Sequence, residues 1–142
     1  MIAVLIGVLM TGSIDAASTF VLAGGQDRMV ERFEALEISK RFEIYNYLYD
    51  KSGHPRDTRL AFGFEDKPNE ALSYITYDLK SKDFSRFLRY LPIIYSISSV
   101  KGYNICLSKN FPILKAKTRF YDLSVRQKAA LGLIQFRDCS LF

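Results

Sequence analysis

The chain has 142 residues, which gives room for one domain of ordinary size, and its 49% hydrophobic and 25% charged content excludes a disordered chain. Eleven Phe and nine Tyr, with no Trp, provide large rings from which a short chain can build a core. A formal net charge of +5 suits an acidic partner or simple solubility, and the cations are spread without a run of five, which excludes a basic nucleic-acid tail.

Residues 1–26 carry a single charged side chain, Asp15, and Ile2 to Met10 form an apolar stretch interrupted only by Gly7. That stretch is too short to cross a bilayer, which needs about 20 apolar residues, but it has the length of a signal-peptide hydrophobic region. Small residues follow it, and a cut after Ala16 or after Ala23 fits signal-peptidase preferences. The basic residues that ordinarily precede such a run are missing, leaving only the amino group of Met1. The same run also reads as a buried strand or helix. A third reading makes residues 2–23 a membrane anchor, which has to bury Asp15 at a cost of a few kcal/mol. The division expected is therefore a hydrophobic, signal-like segment over 1–23 and one helical domain over 24–142.

Gly24-Gly25 breaks the chain, and Asp27 stands where an N-cap is expected. From Arg28 to Asp50, Val30, Phe33, Leu36, Ile38, Phe42, Tyr45 and Leu48 or Tyr49 draw a helical stripe with one slip between Leu36 and Ile38. Glu37 and Arg41 stand four apart on the polar side, a weakly favourable pair. Ser52-Gly53-His54-Pro55 ends this helix. Arg56 to Phe64 suits one or two helical turns or a strand.

Pro68 opens the next helix, whose buried face is Leu72, Ile75, Thr76 and Leu79. Ser81-Lys82-Asp83 begins another, lined by Phe84, Phe87, Leu88 and Leu91. Pro92 then kinks or restarts the chain, and Ile93 to Val100 is also compatible with a strand. Asn110-Phe111-Pro112 starts a helix reaching Phe120. Asp122 or Ser124 caps a last one, with Val125, Ala129, Leu133 and Phe136 on its apolar face.

Pro112-Ile113-Leu114, Asp122-Leu123-Ser124-Val125-Arg126 and Ala129-Ala130-Leu131-Gly132 together resemble one HEAT-type helical repeat, with a fainter echo in Asp50, Pro55, Arg59 and Ala61. The resemblance spans residues 112–138 and implies a helical hairpin whose small residues permit close packing. A solenoid requires about three repeats at a fixed period, and the spacing of Leu91-Pro92 and Phe111-Pro112 breaks that period. The expected fold is all-α: a compact bundle of five or six short helices, with HEAT-like hairpins as a variant.

Little in the chain suggests catalysis. His54, the only histidine, sits in a Gly-His-Pro turn and reads as a surface residue. Cys106 and Cys139 lack a close-spaced partner for zinc and read as a candidate disulfide in an oxidising compartment, or as two buried thiols. No phosphate loop or Gly-x-Ser-x-Gly motif occurs. Glu65, Asp66 and Glu70 are explained by electrostatics at a helix start. These features point to no enzyme, no metal and no small-molecule cofactor.

The strongest binding candidate is the basic, aromatic stretch from Lys80 to Tyr103. Lys82, Arg86 and Arg89 share a helical face opposite much of the Phe and Leu stripe, and Tyr90, Lys101 and Tyr103 extend the set. A solvated face over a core stripe is the plainer reading of the same residues. The function expected is an exported protein-binding module, secreted or periplasmic: an envelope-assembly component, or an inhibitor or immunity protein, engaging an acidic surface through these residues. Two alternatives are a cytoplasmic helix-turn-helix protein that binds nucleic acid through the Leu123–Phe136 helix, and a membrane-tethered subunit held by residues 2–23.

Overall fold

The computed structural model of the chain describes residues 13–52, 58–79, 84–119 and 124. Among them are six α-helices and two 3-10 helices, with no strand, so the protein is all-α as the sequence indicates. The chain divides into two compact units, residues 1–63 and 64–142, and the division falls inside the segment 24–142 that the sequence treats as one domain.

In the first unit, α1 spans Ile14–Leu22. Ser13 caps it, its hydroxyl accepting from the Ala16 N–H at 3.2 Å, and Asp15 occupies the first turn, where a negative charge favours the positive end of the helix. Ala17, Ser18 and Val21 are buried, and α1 packs on the two helices that follow. The buried Ser18 hydroxyl donates to the Ile14 carbonyl at 2.8 Å, so its burial leaves no unmet donor. Of the segment 1–23, residues 1–12 lie outside the described residues, whereas Ile14–Leu22 belong to the folded body. Ala16 is inside α1 and Ala23 is its C-cap. A cut after Ala16 divides the helix, and one after Ala23 removes it.

Gly24 and Gly25 adopt φ of 87° and 92°, a region that side chains with a Cβ rarely enter. Gly25 is the N-cap of α2, Gln26–Glu34, so Asp27 sits in the first turn rather than at the cap. Arg32 of α2 reaches back over the end of α1. Its Nη1 donates to the carbonyls of Phe20, at 2.5 Å, and Ala23, and its guanidinium lies 4.4 Å from the centre of the Phe20 ring.

The single helix expected over 28–50 is two helices, α2 and α3, the latter spanning Ile38–Ser52. The slip between Leu36 and Ile38 marks the break. Met29, Phe33 and Leu36 face inward on one side of it, and Ile38, Phe42, Tyr45 and Leu48 on the other, while Val30 is only half-buried. The Glu37–Arg41 surface pair is also corrected: Arg41 is 0% exposed. Its Nε donates to the Leu36 carbonyl at 2.8 Å, Nη1 to that of Gly63 at 2.9 Å and Nη2 to that of Glu34 at 3.0 Å. Carbonyls at a helix C-terminus have no partner within the helix and carry partial negative charge, which a guanidinium with its fork of donors can satisfy.

Gly63 belongs to the 3-10 helix Thr58–Phe64, one of the two outcomes expected for this stretch. It passes so close to Phe33 that an added Cβ would lie 2.3 Å from the ring. At the other side of the unit, the Tyr47 hydroxyl of α3 donates to Asp15 of α1 at 2.7 Å, and Lys51 lies 3.5 Å from the same oxygen. The hydrogen bond from Tyr47, and then the charge of Lys51, hold the Asp15 carboxyl below its ordinary range, and the same hydrogen bond raises the Tyr47 phenol.

In the second unit, α4 spans Pro68–Asp78 with proline in its first turn, and Leu72, Ile75, Thr76 and Leu79 are buried as their spacing indicates. The helix α5 runs unbroken through Pro92 from Phe84 to Ser98, so residues 93–98 are neither a strand nor a restarted helix. Pro92 and Leu88, whose carbonyl loses its i+4 donor, are both only half-buried, so the defect falls where the helix is least enclosed. The face that α5 buries is Phe87, Tyr90, Ile93, Ile94 and Ile97, and Leu88 and Leu91 are half-buried. A 3-10 turn, Ile105–Leu107, leads to α6, Phe111–Thr118, which ends two residues before Phe120. Asn110 anchors the start of α6 on α4, its Nδ2 donating to the Ser73 hydroxyl at 2.9 Å and the Asn69 carbonyl at 3.4 Å. Residues 125–136 of the expected last helix, and most of the segment that resembles a HEAT-type repeat, lie outside the described residues.

Two expectations follow from the first unit. Gly63→Ala forces Phe33 to move and lowers stability by about 1–3 kcal/mol, whereas Arg41→Met strands two buried carbonyls and one part-buried one and costs about 3 kcal/mol or more; urea-unfolding midpoints measure both. For Asp15, a folded pKa below the unfolded one gives a contribution to stability that is present above the ordinary carboxylate range and lost as pH falls through the folded value. Tyr47→Phe is expected to raise the Asp15 pKa toward its ordinary value, as followed by the carboxyl carbon shift against pH.

Candidate functional site

The residues singled out from the sequence fall into separate settings. Arg86 and Tyr90, four apart on α5, meet at the last residue of α4. Arg86 Nη1 donates to Asp78 Oδ2 at 2.8 Å, and the Tyr90 hydroxyl donates to the same oxygen. Burial pulls the Arg86 pKa down, but the charge of Asp78 and the contact with Tyr90 outweigh it and the net shift is upward. Tyr90 is fully buried and Arg89 nearly so. Lys101 is exposed beyond the end of α5, while Tyr103 is half-buried and donates to Asn69 Oδ1 at 2.9 Å. Lys82 and Cys139 lie outside the described residues.

The structure thus joins Arg86 to Tyr90, turns Arg89 inward and leaves Lys101 and Tyr103 elsewhere. The physical reason lies in α5 itself. Large apolar side chains occupy most of its circumference, so a 3.6-residue period fits two stripes. Phe87, Tyr90, Ile94 and Ile97 are the buried one, and Tyr90 can join it because Asp78 satisfies its hydroxyl.

A charge asymmetry extends past the stretch that drew attention in the sequence. From residue 84 to residue 121 the chain has no Asp or Glu, yet Arg86, Arg89, Lys101, Lys109, Lys115, Lys117 and Arg119 all lie within it. Lys101, Lys109 and Arg119 are exposed, and Lys115 and Lys117 are half-buried in the last turn of α6, where the helix dipole favours cations. None of these five makes an ion pair among the described residues. Counting signs of charge over a long window finds this feature, whereas looking for alternating basic and aromatic residues stops at Tyr103.

The acidic residues near the start of α4 are accounted for within the unit. Glu65 accepts a hydrogen bond from the buried Ser96 of α5, and Glu70 lies in the first turn of α4. Cys106 is disulfide-bonded. His54 lies outside the described residues. Among the described residues, no three His, Cys, Asp or Glu gather as a metal site, and no helix is long and apolar enough to cross a membrane. Compared with protein-family models, curated proteins and solved structures, the chain matches none.

The Asp78 cluster gives a direct test of its structural part. Asp78→Ala leaves the buried Tyr90 hydroxyl without its acceptor and is expected to cost about 1–3 kcal/mol. Arg86→Met removes a pair open to solvent and is expected to cost under about 1 kcal/mol. Thermal or urea unfolding of the two variants shows the order.

Proposed function

We propose that this chain is an exported, helical protein-binding module whose partner presents an acidic surface. The observation that carries the reading is the carboxylate-free stretch 84–121, with Lys101, Lys109, Lys115, Lys117 and Arg119 at or near the surface. A one-signed field of this kind attracts and orients an oppositely charged partner and discourages partners of like charge. With Arg86 and Tyr90 engaged by Asp78, and Arg89 buried, the binding face moves from the start of α5 to the segment Lys101–Arg119.

Export is supported by two features. The apolar run Ile2–Met10 has the length of a signal-peptide hydrophobic region. The disulfide at Cys106 is a bond that persists in oxidising compartments and is rare elsewhere. Because Ile14–Leu22 are part of the folded body, the address signal is assigned to the residues before Ser13. Within this reading the chain is a component of an envelope assembly, or an inhibitor or immunity protein, that covers an acidic face of its partner.

The test combines location and chemistry. In native cells the protein is expected outside the cytoplasm, with cysteines that alkylate only after reduction, as read by intact mass. The purified full chain is expected to retain an acidic protein at about 50 mM salt and release it near 500 mM, as screening shortens the reach of exposed charges. A cytosolic protein with freely alkylated cysteines overturns export. Salt-labile retention of duplex DNA, with no protein retained, overturns the protein-binding reading in favour of nucleic acid.

A further inference from the structure

The side of α6 turned away from the core has a composition of its own. Asn110, Leu114 and Thr118, spaced by four, are buried, so the opposite side of the helix faces outward. Lys109, Pro112, Ile113, Ala116 and Arg119 are exposed there, with Lys117 half-buried. Leu107, the last residue of the 3-10 turn that packs against α6, is 82% exposed, and Ile113 is 48% exposed. Two large aliphatic side chains, Leu107 and Ile113, therefore stand in water, and Lys109 and Lys117 flank Ile113 at a spacing of four. No carboxylate occurs anywhere from residue 84 to residue 121.

The same surface is held in place from beneath. Asn104 caps the 3-10 turn by accepting from the Cys106 N–H at 3.0 Å, and the Ser108 hydroxyl accepts from the Asn110 N–H at 3.2 Å. The Asn110 side chain then ties the start of α6 to Ser73 and Asn69 of α4. Leu107 and Lys109 are thus presented on a braced turn, and Ile113 on the helix that it leads into. Little ordering entropy remains to be lost when a partner arrives, which is the condition under which a small contact area yields useful affinity.

We propose that this stripe is a docking surface, and that its occupant is an acidic amphipathic segment of a protein, one that places aliphatic side chains between Glu or Asp residues. The proposal rests on the protein-binding reading above and adds to it the surface and the partner's pattern. The aliphatic side chains of the segment cover Leu107 and Ile113, and its carboxylates meet Lys109 and Lys117. Fixed spacing favours a protein occupant over a lipid surface, which asks only for charge and apolar depth and is generally met by interfacial aromatic rings that this stripe lacks. A phosphate backbone has no use for Leu107 and Ile113.

Four fluorescent probes test it on the full-length, non-reduced chain: a synthetic helical peptide of Glu-Leu-Leu-Glu repeats, poly-glutamate, phosphatidylglycerol vesicles and duplex DNA. The Glu-Leu peptide is expected to bind more tightly than poly-glutamate. The double variants Leu107→Ser with Ile113→Ser, and Lys109→Glu with Lys117→Glu, are each expected to weaken it about tenfold or more, while Arg28→Glu, an exposed cation of the first unit, leaves it unchanged. Circular dichroism checks that the variants fold, which the exposure of the altered side chains favours. Equal binding of the two peptides, binding indifferent to both double variants, or binding of vesicles or DNA in preference to the peptide overturns the proposal. Repeating the native capture with the variants separates the two levels. If an acidic protein is still retained by both, the protein-binding reading stands and this surface is wrong; if the unaltered chain retains none, both fall.

Discussion

A single buried guanidinium sets the geometry of the first unit. Arg41 stands where α2 has ended and α3 has begun, and it donates to the carbonyls of Glu34, Leu36 and Gly63. One of these acceptors is the last residue of α2, one lies in the turn that follows it, and the third belongs to a 3-10 helix more than 20 residues further along the chain. One side chain therefore fixes a helix break and a distant segment together. Burying a charge is costly unless it is richly hydrogen-bonded, so the site tolerates little rearrangement. The residue whose carbonyl serves Arg41 also lies nearly against the Phe33 ring and has no room for a Cβ.

The second unit uses neutral and paired groups for similar work. Asn110 joins α6 to α4, Tyr103 donates to Asn69 near the start of α4, and Asp78 gathers Arg86 and Tyr90 at its end. The first two of these contacts link segments more than 30 residues apart, and each contact involves a side chain that can make two or more hydrogen bonds. The carboxylates at Asp78, Glu65 and Glu70 serve such positions or helix ends. That use leaves the stretch beyond α5 with cations alone, so the internal construction of the unit and its outward charge are two aspects of one distribution.

Much of the fold is legible from spacing and from a few punctuating residues. Pro68 and Asn110-Phe111-Pro112 mark helix starts because proline in the first turn loses nothing, and Leu72, Ile75 and Leu79 give α4 an unambiguous face. Arg41 was not legible, since a cation four residues after Glu37 has the pattern of a solvated pair and only the tertiary arrangement supplies three carbonyls. Arg89 and Tyr90 were misread for a different reason: a helix apolar on most sides does not announce which side is inside. Of the candidate site, Lys101 was legible as an exposed cation. The wider basic stretch was not, because it is defined by what is missing over 38 positions rather than by any motif.

The placement of α1 has a consequence for maturation. A protease needs an extended substrate, so the bond after Ala16, inside α1, is cut only on the nascent, still unfolded polypeptide, whereas Ala23 is extended and exposed at the end of the helix. A chain trimmed at either point also loses Asp15, and the Tyr47 phenol then has no carboxylate to receive its hydrogen. Loss of that hydrogen bond thus separates a chain that keeps the start of α1 from one trimmed at Ala16 or beyond.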